Sequence, residues 1–393
     1  MKHLKKIVAV CIAIAIGYIA LASASPPQFA EQEVPINQTN PVENEQIFDA
    51  PQISSYISET PVKNEDLEDV PMVSVYRTTA NLRLREAPSA EADIIETILQ
   101  GTPLLVTDYL DGSWYLVYVN GLTGYMSAEY LSFMAIRPAG SPMYMAGSVT
   151  VMDADTGMVL YDAEQHTLRY PASVTKIMTA LLVLEHVEDL SAQITFSEGA
   201  VDIPWYASRL GMQAGDTMTI YDALYALMLV SANEVAWALA EHVSGSINDF
   251  VYQMNLRAAS LGAMNTRFIN PCGLPGADQY TTSYDMALIM REAIQSPVFA
   301  RIIATPYTYI QLAESDDSPR PMRNTNRLIQ YDNSEFNEWV IGGKTGFTNA
   351  AQHTLITYAE WDGRAVIVSV LYVPYRGAIF SDTTSLLEMI QAR

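Results

Sequence analysis

The sequence predicts a multidomain chain: a small all-β barrel over residues 73–133, then a large α/β domain (antiparallel sheet plus helical block) over 146–393. Three observations carry this. Short apolar-alternating runs fill the first region, separated by turn pairs such as Asp111-Gly112 and Asn120-Gly121. In the second, strand-like segments stand at both ends and enclose long apolar runs of helical length. A stretch rich in Pro, Gly and Met, 134–145, separates the two.

Upstream, Met1 to Ala24 reads as a signal peptide. Lys2, Lys5 and Lys6 form a positive start, Ile7 to Leu21 an apolar core, and Ala22-Ser23-Ala24 a small-residue cleavage site. The apolar run is short for a membrane span, so cleavage and export are expected, with the protein acting at the cell wall or membrane face. Residues 25–72 read as a disordered acidic linker, rich in Pro, Asn, Gln and Glu, with Lys63 its only base. With the leader removed only Cys272 is left, so no internal disulfide is available. The formal charge of −22 argues against nucleic acid and against anionic lipid as partners.

The strands of the small domain are Ala80 to Leu84, Leu104 to Val106 and Trp114 to Val119. Asn120-Gly121 is a hairpin turn leading into Thr123-Gly124-Tyr125-Met126. With Asn81-Leu82-Arg83-Leu84-Arg85, Gly101-Thr102, Trp114-Tyr115-Leu116-Val117, Gly124-Tyr125 and Tyr130-Leu131, the whole segment resembles bacterial SH3-like domains. That resemblance implies attachment to the cell wall; the alternatives are a folded spacer and aromatics that only fill the barrel core.

The large domain opens with a hairpin, Val149 to Met152 and Met158 to Leu160. Helices are predicted at about 173–188, 219–230, 234–243, 247–261 and 284–295. Strands follow at 338–348, 354–358 and 365–373, with a closing helix after Ser381 or Asp382. The hairpin and the late strands are expected to form one antiparallel sheet around an inserted helical block.

Chemistry begins at Pro171-Ala172-Ser173-Val174-Thr175-Lys176. Ser173 and Lys176, three apart at the start of an apolar helix, share one face. A serine hydroxyl needs a neighbouring base to become a nucleophile, and a neutral lysine amine can serve. After Lys63, lysine occurs only at 176 and 344, and every other base is arginine. Arginine cannot be deprotonated, whereas buried lysine loses its proton readily, so these two positions are expected to need an amine. A second candidate is Ser231-Ala232-Asn233. It reads either as a capping box, Ser231 with Glu234, or as a connector giving a proton-relaying hydroxyl and a substrate-holding amide. The third is Lys344-Thr345-Gly346-Phe347-Thr348, an edge strand able to take an extended peptide, with Lys344 and Thr345 suited to a carboxylate. The charge of Lys344 is expected to push Lys176 towards its neutral form.

Ser-x-x-Lys, Ser-x-Asn and Lys-Thr-Gly in this order are similar to the signature of penicillin-binding proteins and serine β-lactamases. With Asn270-Pro271-Cys272-Gly273-Leu274, Thr281 to Ala287 and Asn324-Thr325-Asn326, residues 146–393 resemble a low-molecular-mass D-alanyl-D-alanine carboxypeptidase. The resemblance implies a transpeptidase-like fold that removes the terminal D-alanine of peptidoglycan stem peptides through an ester on Ser173, which β-lactams also acylate. It further implies Lys176 as base, Ser231 as proton relay, Asn233 on the substrate amide, and backbone N–H groups of Ser173 and Phe347 as oxyanion hole. No metal or other cofactor is expected: the sequence has no His-Glu-x-x-His motif and no cysteine cluster, and its histidines fall outside the motifs. The family usually has glycine where Gln352 stands and a carboxylate-binding arginine where Ile379 stands; Arg376 is the nearby substitute. A β-lactamase and a non-catalytic wall-binding protein are the competing readings. No Glu-x-x-Leu-Asn segment follows Ser231 to support the first, and intact Ser173, Lys176 and Lys344 argue against the second.

Overall fold

The computed structural model describes residues 72–110, 112–138, 143–310 and 319–392. The expected leader and, Met72 apart, the acidic linker lie outside them.

The first domain is a seven-stranded antiparallel barrel: β1 (Met72–Thr78), β2 (Leu82–Arg85), β3 (Ile94–Ile98), β4 (Pro103–Leu110), β5 (Trp114–Val119), β6 (Leu122–Ser127) and β7 (Leu131–Pro138). Their order is β3-β2-β6-β5-β4-β1-β7. The β5–β6 turn is the expected hairpin, with both Asn120 (φ 52) and Gly121 (φ 78) left-handed, the conformation that a two-residue primed turn requires. The strand β7 pairs with β1 along its whole length, Met72 with Pro138, so the barrel extends past the boundary expected at 133 into the supposed linker. The core is aliphatic: Leu84, Ile98, Leu104, Val106, Val117, Val119 and Met126. Of the aromatics only Tyr76 and Tyr115 border it, half-buried. Tyr76, Tyr109, Tyr115 and Phe133 gather edge-to-face on one side, with ring centroids 4.9–6.5 Å apart. Tyr109 is 51% and Phe133 53% exposed.

The second domain starts with β8 (Ser148–Asp153) and β9 (Val159–Ala163), then a 3-10 turn at Ala172–Thr175 leading into α1 (Lys176–His186). The helical block continues through β10 (Gln193–Thr195), α2 (Glu198–Val201), β11 (Thr217–Thr219) and α3 (Ile220–Tyr225). A π-helical turn at Ala226–Val230 precedes α4 (Asn233–Ser244), α5 (Ile247–Ser260), α6 (Ser283–Ala293) and α7 (Pro297–Ile303). Then come β12 (Tyr307–Ile310), β13 (Arg320–Arg323), β14 (Val340–Thr348), β15 (Gln352–Trp361), β16 (Arg364–Val373) and α8 (Arg376–Gln391). The expected single sheet is present, ordered β14-β15-β16-β8-β9, with β14 at one edge.

Both faces of this sheet are covered, which explains why β16 reads as a continuous apolar run. Ile367 and Leu371 face the helical block, while Val366, Val368 and Val370 face α8 through Phe380, Leu386 and Leu387. Each such buried side chain contributes about 1.5–3 kcal/mol. The closing helix begins at Arg376, a turn and a half before the expected Ser381, because Pro374 ends the strand and Tyr375 is already the extended capping residue. Asp382 is therefore inside the helix and buried, and its Oδ2 accepts from the backbone N–H of Met145 and of Ala146, both at 2.8 Å. The acid pins the incoming chain to the last helix.

Candidate active site

Ser173 lies in the 3-10 turn rather than in the helix proper, and Lys176 is the first residue of α1. The turn is held by its neighbours on both sides. Ala172 adopts a left-handed φ of 52, and Gly273 packs so closely that a Cβ there would stand 1.8 Å from the Ala172 carbonyl oxygen. On the other side β14 runs past, and a Cβ on Gly346 would stand 2.9 Å from the Ser173 nitrogen. Glycine at both positions lets two backbones press against the serine.

Lys176 is wholly buried, and its Nζ has three neighbours: Ser173 Oγ at 3.0 Å, Asn233 Oδ1 at 2.7 Å and the Cys272 carbonyl oxygen at 2.8 Å. The last two are carbonyl oxygens, which only accept. They take two amine protons, so a neutral amine has its remaining tetrahedral position, the lone pair, aimed at the serine hydroxyl. Burial pulls the Lys176 pKa down to about 8, partly offset by Cys272 and Glu234.

Each of those oxygens is itself positioned. The Asn270 side chain folds the Cys272 loop, its Oδ1 accepting from Gly273 N at 2.7 Å and its Nδ2 donating to the Leu274 carbonyl at 2.8 Å. Asn233 Nδ2 donates to the Ser208 carbonyl at 3.0 Å. Glu234 does not cap α4 with Ser231. Its Oε1 accepts from Leu210 N at 2.6 Å and Gly211 N at 2.8 Å, fastening the loop that carries Ser208. The capping-box alternative is thereby excluded, and Asn233 faces the lysine with its oxygen.

Ser231 follows the π-helical turn in a left-handed conformation (φ 62, ψ 34), which pushes the connector into the cavity as expected. Its Oγ is buried and has no hydrogen-bond partner among the described residues. Such a hydroxyl is free to pass a proton.

On β14, Lys344 is buried and its Nζ donates to the Thr345 carbonyl at 2.8 Å. Burial, then repulsion from Lys176, holds its pKa well below the ordinary lysine value. The expected repulsion between the two lysines is present, but desolvation is the first cause at each, so Lys344 is not the free cation its motif suggests. Nor does its ammonium line the cavity, whereas Thr345, Gly346, Phe347 and Thr348 do. Thr345 Oγ1 lies 2.6 Å from Thr325 Oγ1. Phe347 stacks on His353 with centroids 4.3 Å apart.

The cavity, about 720 Å³, brings together Ser173, Ser231, Asn233, Thr345 and Phe347, with Arg376 at its rim. Sequence reasoning missed the working atoms of Cys272 and Ser208, whose contribution is a backbone carbonyl; Gly273 was the visible trace of the first. Arg376 was noticed only by its nearness to Ile379, which also lines the cavity.

Comparison with known proteins identifies both domains. Residues 136–374 match the peptidase family described as D-alanyl-D-alanine carboxypeptidase, and residues 80–132 match the bacterial SH3 domain. The chain is 35% identical over 219 residues to the D-alanyl-D-alanine carboxypeptidase DacF of Bacillus subtilis, covering 55% of this chain and 54% of that protein. It thus spans about half the length of that relative. It is also 35% identical to the D-alanyl-D-alanine carboxypeptidase DacB2 of Mycobacterium tuberculosis over 60% of this chain and 79% of the relative. Among solved structures, the Streptomyces K15 DD-transpeptidase superposes with a TM-score of 0.60 at 30% identity, covering 64% of this chain and 99% of the other. With an SH3 domain ahead of a penicillin-binding-protein-like α/β domain, this chain belongs to the D-alanyl-D-alanine carboxypeptidase family of serine peptidases.

Proposed function

We propose that the chain is a serine D-alanyl-D-alanine carboxypeptidase acting on peptidoglycan stem peptides. The observation that carries this is the buried Lys176 amine, fixed by two carbonyl oxygens with its third direction on Ser173 Oγ. In the reaction Ser173 Oγ bonds to the carbonyl carbon between the two D-alanines while its proton moves to Lys176. The carbon–nitrogen bond then breaks, and Ser231 hands the departing amine the proton. Water reverses the sequence at the ester, releasing the shortened peptide and restoring Ser173. The backbone N–H groups of Ser173 and Phe347 hold the oxyanion. Thr345 and Arg376 meet the terminal carboxylate, with Lys344 behind the strand as a supporting group and Gly346, Phe347 and Thr348 forming the peptide-binding edge.

A β-lactam enters the same ester and stays. A fluorescent β-lactam that does not cross membranes is expected to label the wild-type protein both in intact cells and when purified, with one adduct by mass spectrometry. No adduct is expected in Ser173→Ala. An adduct that survives the substitution removes Ser173 as nucleophile, and labelling only after lysis removes the exported location inferred from Met1 to Ala24.

The barrel serves as the wall anchor on this reading, and the exposed Tyr109 and Phe133, backed by the half-buried Tyr76 and Tyr115, support a contact surface with flat, partly polar faces. Replacing Tyr109 and Phe133 together by alanine is expected to lower retention on purified cell walls several-fold. Unchanged retention makes the barrel a spacer.

A further inference from the structure

A second cavity, about 320 Å³, opens beside the first and shares Thr325 and Arg376 with it. Three arginines line it, Arg323, Arg327 and Arg376, together with the amides of Asn324, Gln330 and Asn333. No carboxylate does. This is notable in a chain with 44 acids to 22 bases.

The walls are ordered. Gln330 Oε1 accepts from Arg323 Nε at 3.1 Å and Nη2 at 2.8 Å, and its amide nitrogen donates to the Asn324 carbonyl. Arg327 pairs with Glu335 at 3.1 Å, and its guanidinium lies 5.8 Å from the Phe380 ring centroid. Arg323 pairs with Asp332 at 3.3 Å across an exposed surface and covers the Tyr307 ring. Arg376 differs: among the described residues no acid lies within ion-pair distance of it. It stands in the first turn of α8, which has neither an acidic side chain nor a side-chain cap. A positive helix end and an unpaired guanidinium therefore meet at the junction of the two cavities.

Position sets the ligand. Thr325, common to both cavities, touches Thr345, where the terminal carboxylate of the substrate is placed under the proposed function. The second cavity thus extends beyond the leaving residue, away from Ser173. We infer that it is a subsite for a second carboxylate carried by the leaving residue, so that the enzyme releases dicarboxylic amino acids from D-alanine in preference to their neutral isosteres. Arg376 and Arg327 receive that group, with Arg323 and the amides completing the anion pocket. The bond cleaved and the proton path are those of the carboxypeptidase reaction, on which this inference rests.

The test uses the full chain and three acyl-peptides ending in D-alanyl-D-alanine, D-alanyl-D-glutamate and D-alanyl-D-glutamine. The glutamate peptide is expected to exceed the glutamine peptide in kcat/KM by about tenfold, the size of one charge-assisted contact. That ratio should fall towards one in Arg323→Gln combined with Arg327→Gln, and recover in part in Arg327→Lys. It should also shrink in high salt. Taking the ratio within each variant cancels any loss of folded protein, and penicillin acylation of Ser173 reports separately that the main site is formed. A wild-type ratio near one, or one that persists in the double variant, overturns the subsite. Failure to hydrolyse D-alanyl-D-alanine or to form the penicillin adduct strikes the proposed function instead.

Discussion

Lys176→Arg is expected to reduce acylation of Ser173 by about a thousandfold or more, the usual scale for loss of a general base. The amine is the base only when neutral, and burial brings its pKa to about 8. The neutral fraction, and with it the acylation rate, therefore rises with pH through that value and levels above it. At pH 7 about a tenth of the molecules are ready. A guanidinium stays protonated at every accessible pH, so the variant should show no such rise, only a low and flat rate. It is also planar, and cannot reproduce the tetrahedral arrangement of Asn233 Oδ1, the Cys272 carbonyl and Ser173 Oγ around one nitrogen. Stopped-flow acylation by a chromogenic β-lactam between pH 6 and 10, for both proteins, checks this. An arginine variant within tenfold of wild type would falsify the assignment of Lys176 as base.

Gly273→Ala should do comparable damage without touching any reacting atom. Gly273 has φ +87, and its new Cβ would meet the Ala172 carbonyl oxygen at 1.8 Å and Thr175 Oγ1 at 2.9 Å. Backbone must move, and the nearest backbone is the turn that holds Ser173. A displacement of about 1 Å at the nucleophile lowers acylation about a hundredfold. The strain itself is expected to lower stability by about 2–4 kcal/mol. Gly363→Ala is the matched control: its φ is +75, yet nothing lies within 4 Å of the added carbon. That change should cost only about 1 kcal/mol and leave acylation as it was. Thermal unfolding and acylation rates measured for both variants separate close packing from backbone conformation; identical behaviour of the two would show that the contact with Ala172 does not matter.

The sequence by itself determined the division into barrel and α/β domain, the sheet built from both ends of the large domain, and the pair Ser173 and Lys176. These were readable because they rest on local signals: alternation, apolar periodicity, the Asn120-Gly121 turn, and amine chemistry at two lysines in an arginine chain. What only the tertiary structure decided depends on atoms far apart in the chain. The partners of the lysine come from Asn233 and from Cys272, 57 and 96 residues away, and one of them is a backbone carbonyl that no side-chain motif can reveal. Ser231 with Glu234 fits a capping box in sequence, but Glu234 Oε1 turns instead to the backbone N–H groups of Leu210 and Gly211, on a loop more than twenty residues upstream that no local signal places beside it. Lys344 looked like a free cation. It is buried against its own strand, so desolvation and Lys176 drive it towards neutrality, and the exposed positive charge at the cavity falls to Arg376. Desolvation depends on everything packed around a group, and that is fixed only when the sheet, the helical block and the last helix close on one another.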